Sequence, residues 1–293
     1  MLEVINLLNI GLSSYRVKDT VPFHIPAHNQ FIDSNNLKSQ EYLNKISEWT
    51  DQNLMALNVK KTKSMVFNFS RNCQFTTDIL LNNERIEMVE QAKLLGTILT
   101  RDLKWDENTN YLVKDANKRM LMLRAAAKFT SDKQVLKQIY YSRIRCKLEQ
   151  SAAVWSSSLT QKNMEDLERV QKAAVRLING KPYESYSETL KQLGIMRLSE
   201  RRTAICLKFA KSCLRLENFK KLFPMQSSKH DMKTRHEERY LVSRSNGKRH
   251  ESSAIPKMIK LLNKEYKEQK QSLKKLSKSL LSPTNFACNR IYC

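Results

Sequence analysis

Two spacings of apolar residues divide the chain near Trp105. Before it, hydrophobic positions come in short runs and alternations. After it, they recur every three or four residues. Leu2 to Leu8 is a short apolar run that suits either a helix or a strand. Residues 15–33 hold Pro22, His24, Pro26, His28 and Asn29 and predict a loop. Ser34 predicts the cap of a helix running to about Gln52, with Leu37, Leu43, Ile46 and Trp49 turned inward. Residues 64–69 predict a strand. Residues 79–81 and 84–86 predict a hairpin about Asn82-Asn83. Residues 92–99 predict a further strand with Gly96 inside it, either a bulge or a point of close backbone approach.

The second part reads as helices. Leu112, Ala116, Met120, Leu123 and Ala127 share one face, and Lys114, Lys118 and Lys128 the other. Residues 132–154 predict a largely apolar helix. Residues 160–179 predict a third, with Met164, Leu167, Val170, Ala174, Leu177 and Ile178 as its apolar stripe. Lys162, Arg169, Lys172 and Arg176 line its opposite side, and Gly180 stands as its C-cap. A helix over about 199–216 follows. Residues 225–254 predict a linker or a nucleic-acid-contacting loop, and 255–276 a lysine-rich helix.

Charge adds to this picture. The net charge is +23 over 293 residues. Residues 1–110 hold 12 basic and 13 acidic side chains, whereas residues 111–293 hold 40 and 16. The excess therefore lies wholly in the helical part. It points to a polyanion, most simply nucleic acid; the alternative is a self-repelling, well-solvated surface. With only five glycines, the chain has no glycine-rich phosphate loop. Six cysteines show no CxxC pair and read as buried or free thiols. Pro26 between His24 and His28 argues against a helical zinc pair, so no metal is expected. No apolar stretch reaches membrane-spanning length, and the first residues do not read as a leader. Together these predict an intracellular protein, without separating nucleus from cytoplasm. Trp49, Trp105 and Trp155 are expected as core anchors rather than base-stacking platforms.

The stretch from Trp49 to Phe67, with Leu57-Asn58, Lys61-Thr62-Lys63 and Met65, resembles a block of the reverse transcriptases of non-LTR (LINE-like) retrotransposons. Lys93-Leu94-Leu95-Gly96 followed by Leu103-Lys104-Trp105 is similar to that family's primer grip and the start of its thumb. Val154-Trp155, Leu159-Thr160 and Leu167 to Lys172 continue the likeness in order, as do Tyr183, Tyr186, Leu193-Gly194 and Ser253 to Pro256. The resemblance implies an α+β fold. A small antiparallel palm and primer-grip remnant would be followed by a mostly α-helical, thumb-like bundle and a basic helical tail. The domains it implies are a poorly constrained segment at 1–33, the palm remnant at 34–105, the thumb-like region at 106–220 and the tail at 221–293.

It also implies roles. Lys61 would be a remnant general acid, or else an ordinary surface lysine before a strand. Leu94, Leu95 and Gly96 would form the primer grip. Lys60, Lys63, Lys114, Lys118, Lys162, Arg169, Lys172 and Arg176 would meet phosphates. Polymerase chemistry needs carboxylates that hold two metal ions, and the chain contains no Asp-Asp pair. Asp51, Asp102 and Asp106 do not match the metal-binding positions. The expectation is a reverse-transcriptase fragment, inactive by itself, that binds primer–template duplex. It would hold no cofactor, since Mg2+ would need the missing carboxylates. The alternative is a non-enzymatic interaction module. The Trp49–Phe67 block is also similar to an N-terminal module of AlkB-like alkylation-repair and tRNA-methylating proteins.

Overall fold

The structure is a computed structural model that describes residues 2–11, 18–27, 32–67, 78–181, 185–225, 239–242 and 247–280. The chain forms two compact units. The first joins residues 1–150 with 159–189, and the second joins 151–158 with 190–293.

In unit 1, β1 (Leu2–Gly11) and β2 (Lys18–Ala27) pair antiparallel, with Leu7 opposite Pro22 and Glu3 opposite Pro26. The loop expected at 15–33 is therefore corrected to a strand over 18–27. Two prolines are tolerated there because β2 is the edge of the sheet, where no outer neighbour needs their missing N–H groups. Helix α1 spans Ile32–Gln52, starting two residues before the expected cap at Ser34. Its inward line is Ser39, Leu43, Ile46 and Thr50, a three- and four-residue spacing. Trp49 lies one position off that line and is 52% exposed, so it is no core anchor. The side chain of Leu37 lies outside the described residues.

After a 3-10 turn at Val59–Lys61, β3 (Lys63–Phe67) pairs with β1. Its four residues from Ser64 to Phe67 are all buried, as befits a strand covered on both faces. Residues 68–69, at the end of the expected strand, lie outside the described residues. Strands β4 (Leu80–Leu81) and β5 (Glu84–Arg85) form the expected hairpin, with φ of 51° at Asn82 and 63° at Asn83. Two successive positive φ angles match the right-handed twist of flanking strands, and asparagine tolerates them. Leu81 and Ile86 join Leu43, Leu57 and Ile79 in a small core. Strand β6 (Glu87–Met88) adds to β3 in parallel and is the one parallel neighbour in the sheet order β2-β1-β3-β6.

The expected single strand at 92–99 is instead two, β7 (Gln91–Leu94) and β8 (Thr97–Thr100), folded about Leu95 and Gly96. Helix α2 (Asp106–Phe129) follows, with Leu112, Ala116, Met120 and Leu123 buried. The apolar helix expected over 132–154 is broken. Helix α3 (Lys133–Ile139) widens into a π segment, Tyr140–Arg145, and closes with α4 (Cys146–Leu148). Ser151 then turns left-handed at φ 52°, and α5 (Ala152–Trp155) starts afresh. Helix α6 (Gln161–Asn179) ends at Gly180 as expected and starts one residue after the expected Thr160, which caps it. The Thr160 hydroxyl accepts the N–H of Asn163 at 3.2 Å, and Gly180 takes φ 70° at the other end. Helix α7 (Tyr186–Leu193) follows, and unit 1 ends within it at Thr189.

A buried polar chain crosses this bundle. The Tyr140 hydroxyl donates to Gln171 Oε1 at 2.6 Å. Gln171 Nε2 donates to the Tyr186 hydroxyl at 3.0 Å, and Tyr186 donates in turn to the Glu168 carboxylate. Tyr140 and Gln171 are fully buried. Burial pushes the Tyr140 phenol well above the usual tyrosine range, against a smaller opposing pull from Arg145.

Unit 2 gathers α5, a 3-10 turn at Ser156–Ser158, α8 (Leu198–Cys213), α9 (Glu217–Lys220), α10 (Lys248–Glu251) and α11 (Ala254–Leu280). Its core is Ala153, Ala210, Cys213, Phe223, Met258, Ile259 and Leu262. Cys206 and Cys213 are both buried, as their seven-residue spacing implied. The Asn263 side chain exchanges two 2.9 Å hydrogen bonds with the backbone of Tyr240. This fixes the middle of the stretch read as a linker. Residues 226–238 and 243–246 lie outside the described residues. Among the described residues no helix is long and apolar enough to cross a membrane.

Gln171→Ala should lower the unfolding free energy by about 1–3 kcal/mol, the cost of leaving buried hydroxyls unpaired, measured by urea denaturation of the full chain. The unfolded phenol ionises near about 10, below the folded Tyr140. Its stabilisation is therefore intact below that pH and drains away above it. Tyr140→Phe should flatten the loss of stability between about pH 10 and 11; an identical alkaline profile would contradict this.

Candidate nucleic-acid interface

The β7–β8 hairpin presents the Leu94-Leu95-Gly96 block at its tip. Leu95 and Gly96 take φ of 47° and 82°, the pair of positive angles that a two-residue hairpin turn requires. Leu95 is 66% exposed there. Gln150, just past α4, holds the tip: its Nε2 donates to the Leu95 carbonyl at 3.1 Å. Lys147 Nζ donates to Gln150 Oε1 at 3.1 Å and stands 4.0 Å from Asp115, which also pairs with Arg119 at 3.1 Å. A polar relay thus ties the hairpin tip to α2. Gly96 is also a close approach, since a Cβ there would lie 2.2 Å from Gln150 Nε2. Both demands, a positive φ and no room, point to glycine.

The hairpin's base is fastened too. Ile98 donates its N–H to Asn108 Oδ1 at 3.0 Å. Lys93 Nζ donates to the Tyr111 hydroxyl at 2.7 Å, with the ammonium 4.2 Å from the ring centre. Asn163 Nδ2 donates to Asp106 at 2.9 Å, pinning the first turn of α6 to that of α2. At the far end Lys133 donates to Asn179 at 3.0 Å. The two helices therefore run in the same direction beside each other.

The expected phosphate contacts fall into distinct settings. On α6, Lys162, Arg169, Lys172 and Arg176 are all exposed, opposite the buried Leu167, Val170, Ala174 and Ile178. Arg169 pairs with Asp166 at 2.9 Å, and Lys172 stands 5.3 Å from the Tyr186 ring centre. Lys114 and Lys118 are exposed on α2. Lys60 and Lys61 are exposed on the 3-10 turn that Asn58 caps. Lys63 is different: it is half-buried and paired with Glu87 on the neighbouring strand, so its charge is already matched. Trp105 and Trp155 are buried, as core anchors should be.

The carboxylates do not converge on a metal. Asp102 accepts hydrogen bonds from the Thr100 hydroxyl at 2.8 Å and the Lys104 N–H at 3.1 Å. Partial burial raises its carboxyl, but these bonds and the Lys104 ammonium outweigh that and hold it below the ordinary aspartate value. Asp106 is engaged by Asn163. Asp51 borders a polar cleft of about 660 Å³ beside the β4–β5 turn, where Asp78 is paired with Arg85. Among the described residues no group of three or more His, Cys, Asp or Glu side chains could hold a metal ion. The donor set does not fit the two-metal centre of a polymerase.

Gln150, Asp115 and Tyr111 carry no motif in the sequence, whereas Lys93 opens the primer-grip-like block. Gln171 did leave a signal: an amide sits four residues after Leu167 and three before Ala174, at an apolar position of the stripe. No family model matches this sequence, no curated protein matches it, and no solved structure matches its fold.

Gly96→Ala should lose roughly 1–2 kcal/mol from the left-handed backbone alone, and more from the collision with Gln150. In a Gln150→Ala background the same change should cost less, because the collision is gone while the strain remains. Equal costs in the two backgrounds, read from denaturation midpoints, would mean that Gln150 does not press on Gly96.

Proposed function

We propose that this chain is the C-terminal part of a non-LTR retrotransposon reverse transcriptase, without the catalytic aspartates, which holds duplex nucleic acid and makes no DNA by itself. The observation that carries the reading is the outward face of α6. It sets Lys162, Arg169, Lys172 and Arg176 in solvent on a helix whose other side is locked into a core. The ordered run of motifs from Trp49 to Pro256 supports the same assignment, and so does the confinement of the charge excess to residues 111–293. The primer-grip-like block lies at the tip of a hairpin braced from α2 and Gln150, a rigid mount for an exposed backbone turn.

Phosphate binding of this kind is sequence-independent and displaces counterions, so it weakens steeply with salt. Lys61 is exposed on its turn and free of the core. A general acid alone completes no phosphoryl transfer without the carboxylate-held metals. A second reading, a protein-binding module, draws on α2, where Leu121, Met122 and Phe129 are exposed and Phe129 is 91% so.

For the full chain, log Kd for a primer–template duplex should rise linearly with log salt. Replacing Lys162, Arg169 and Lys172 with Gln should flatten the slope by about 2.7, at roughly 0.9 per phosphate contact on DNA. No extended primer should appear with Mg2+ and nucleotides. Salt-independent binding would favour the protein-binding module, and any extension product would defeat the proposal.

A further inference from the structure

Helix α11 changes character along its length. Its first half belongs to the core of unit 2: Met258, Ile259 and Leu262 are buried, and Glu265 pairs with Lys211 of α8 at 2.6 Å. From Lys267 to Lys275 every residue is exposed, including Leu273 at 67%. Lys257, Lys260, Lys264, Lys267, Lys274 and Lys275 fall within an arc of roughly 100° on the side away from the buried stripe, at 3.6 residues per turn. From the first to the last, at a rise of about 1.5 Å per residue, this row extends about 27 Å.

The row begins at an open cleft of about 350 Å³, lined by Ser157, Ser252, Glu251 and the first three of these lysines. Ser157 Oγ is shielded from solvent and has no hydrogen-bond partner among the described residues. Glu251 is held by Lys260 at 2.6 Å and Lys264 stands 3.8 Å from Glu268, so the three ammonium groups of the cleft meet two carboxylates. Ammonium and hydroxyl donors around a small open space suit a phosphate oxygen.

We infer that this lysine row is a second phosphate-backbone site, in unit 2, that lies along one strand of a nucleic-acid duplex, with the Ser157 cleft seating one phosphate. The inference rests on reading the chain as a nucleic-acid binder, but on residues separate from α6. Charge complementarity selects the partner. A regular row of cations about 27 Å long matches a polymer that carries a charge every few ångströms. A membrane surface is the poorer match, because an interfacial helix needs a broad apolar face with bulky anchors. Beyond Lys267 the apolar residues of α11 are Leu273, Leu276 and Leu280, with no aromatic anchor among them.

The test uses the full chain and a 20-base-pair-scale DNA duplex across a salt series. Lys264→Gln/Lys267→Gln/Lys275→Gln should weaken binding at least about tenfold near 0.1 M salt and flatten the log–log slope by about 2.7. The double variant Lys267→Gln/Lys275→Gln, on a stretch with no core beneath it, should flatten the slope by about 1.8 with unchanged helicity. If these variants bind duplex like the parent chain while the α6 variant does not, the row has no such role and the broader reading stands. If they instead lose only binding to phosphatidylserine vesicles, the row is a membrane contact and the inference fails. A parent chain that does not bind duplex at all overturns both readings.

Discussion

The α6 surface depends on one side chain, the amide of Gln171. It is fully buried and receives the Tyr140 hydroxyl on its oxygen while its nitrogen donates to Tyr186. A buried amide left unpaired costs about 1–3 kcal/mol, so any rotation of α6 that breaks these bonds is penalised beyond the loss of apolar contact. Hydrophobic packing alone tolerates a sliding or turning helix, because it has no direction. The hydrogen bonds have direction. They set the angle of α6 about its own axis and so set which way Lys162, Arg169, Lys172 and Arg176 point.

The π segment belongs to the same constraint. Its wider turn carries Tyr140 and Ile144 into the interior together, and Lys147 just after it reaches Gln150 where Gln150 meets the hairpin. Arg145 packs on the Tyr141 ring at 3.7 Å and lies 3.8 Å from Glu149. The hairpin tip, the π segment and α6 are therefore joined by polar contacts with defined geometry, layered over apolar burial that supplies most of the driving force. Unit 2 achieves its basic face by a simpler route. Its core captures the first half of α11, and residues 267–275 beyond it are exposed, with Lys267, Lys274 and Lys275 among them.

Much of this was legible residue by residue. The C-cap of α6 at Gly180 and the Asn82-Asn83 turn are local chemistry, where one or two residues dictate the backbone, and the structure has them where they were expected. The same holds for the inward stripes of α2 and α6. Several readings failed, in whole or in part, for non-local reasons. Pro22 and Pro26 suggested a loop, yet an edge position removes the penalty that made a strand improbable. Gly96 suggested a bulge or a close approach within one strand, yet Leu95 beside it shares the positive φ and turns the chain back. Trp49 suggested a buried anchor, yet the inward line of α1 passes through Thr50 instead.

The sequence by itself determined the C-terminal cap of α6, the apolar faces of α2 and α6, and that the excess positive charge lies beyond residue 110, because capping, periodicity and composition act over a few residues. It also showed that the chain lacks an Asp-Asp pair. Only the tertiary structure decided which lysines are half-buried, as Lys63 is beside Glu87, and which are exposed on α6 and α11. It alone placed Gln150 against Gly96 across more than fifty residues and split the apolar stretch at 132–154 into α3, a π segment and two short helices. Those outcomes depend on what packs against each element, and contacts between distant residues leave no mark in the local pattern.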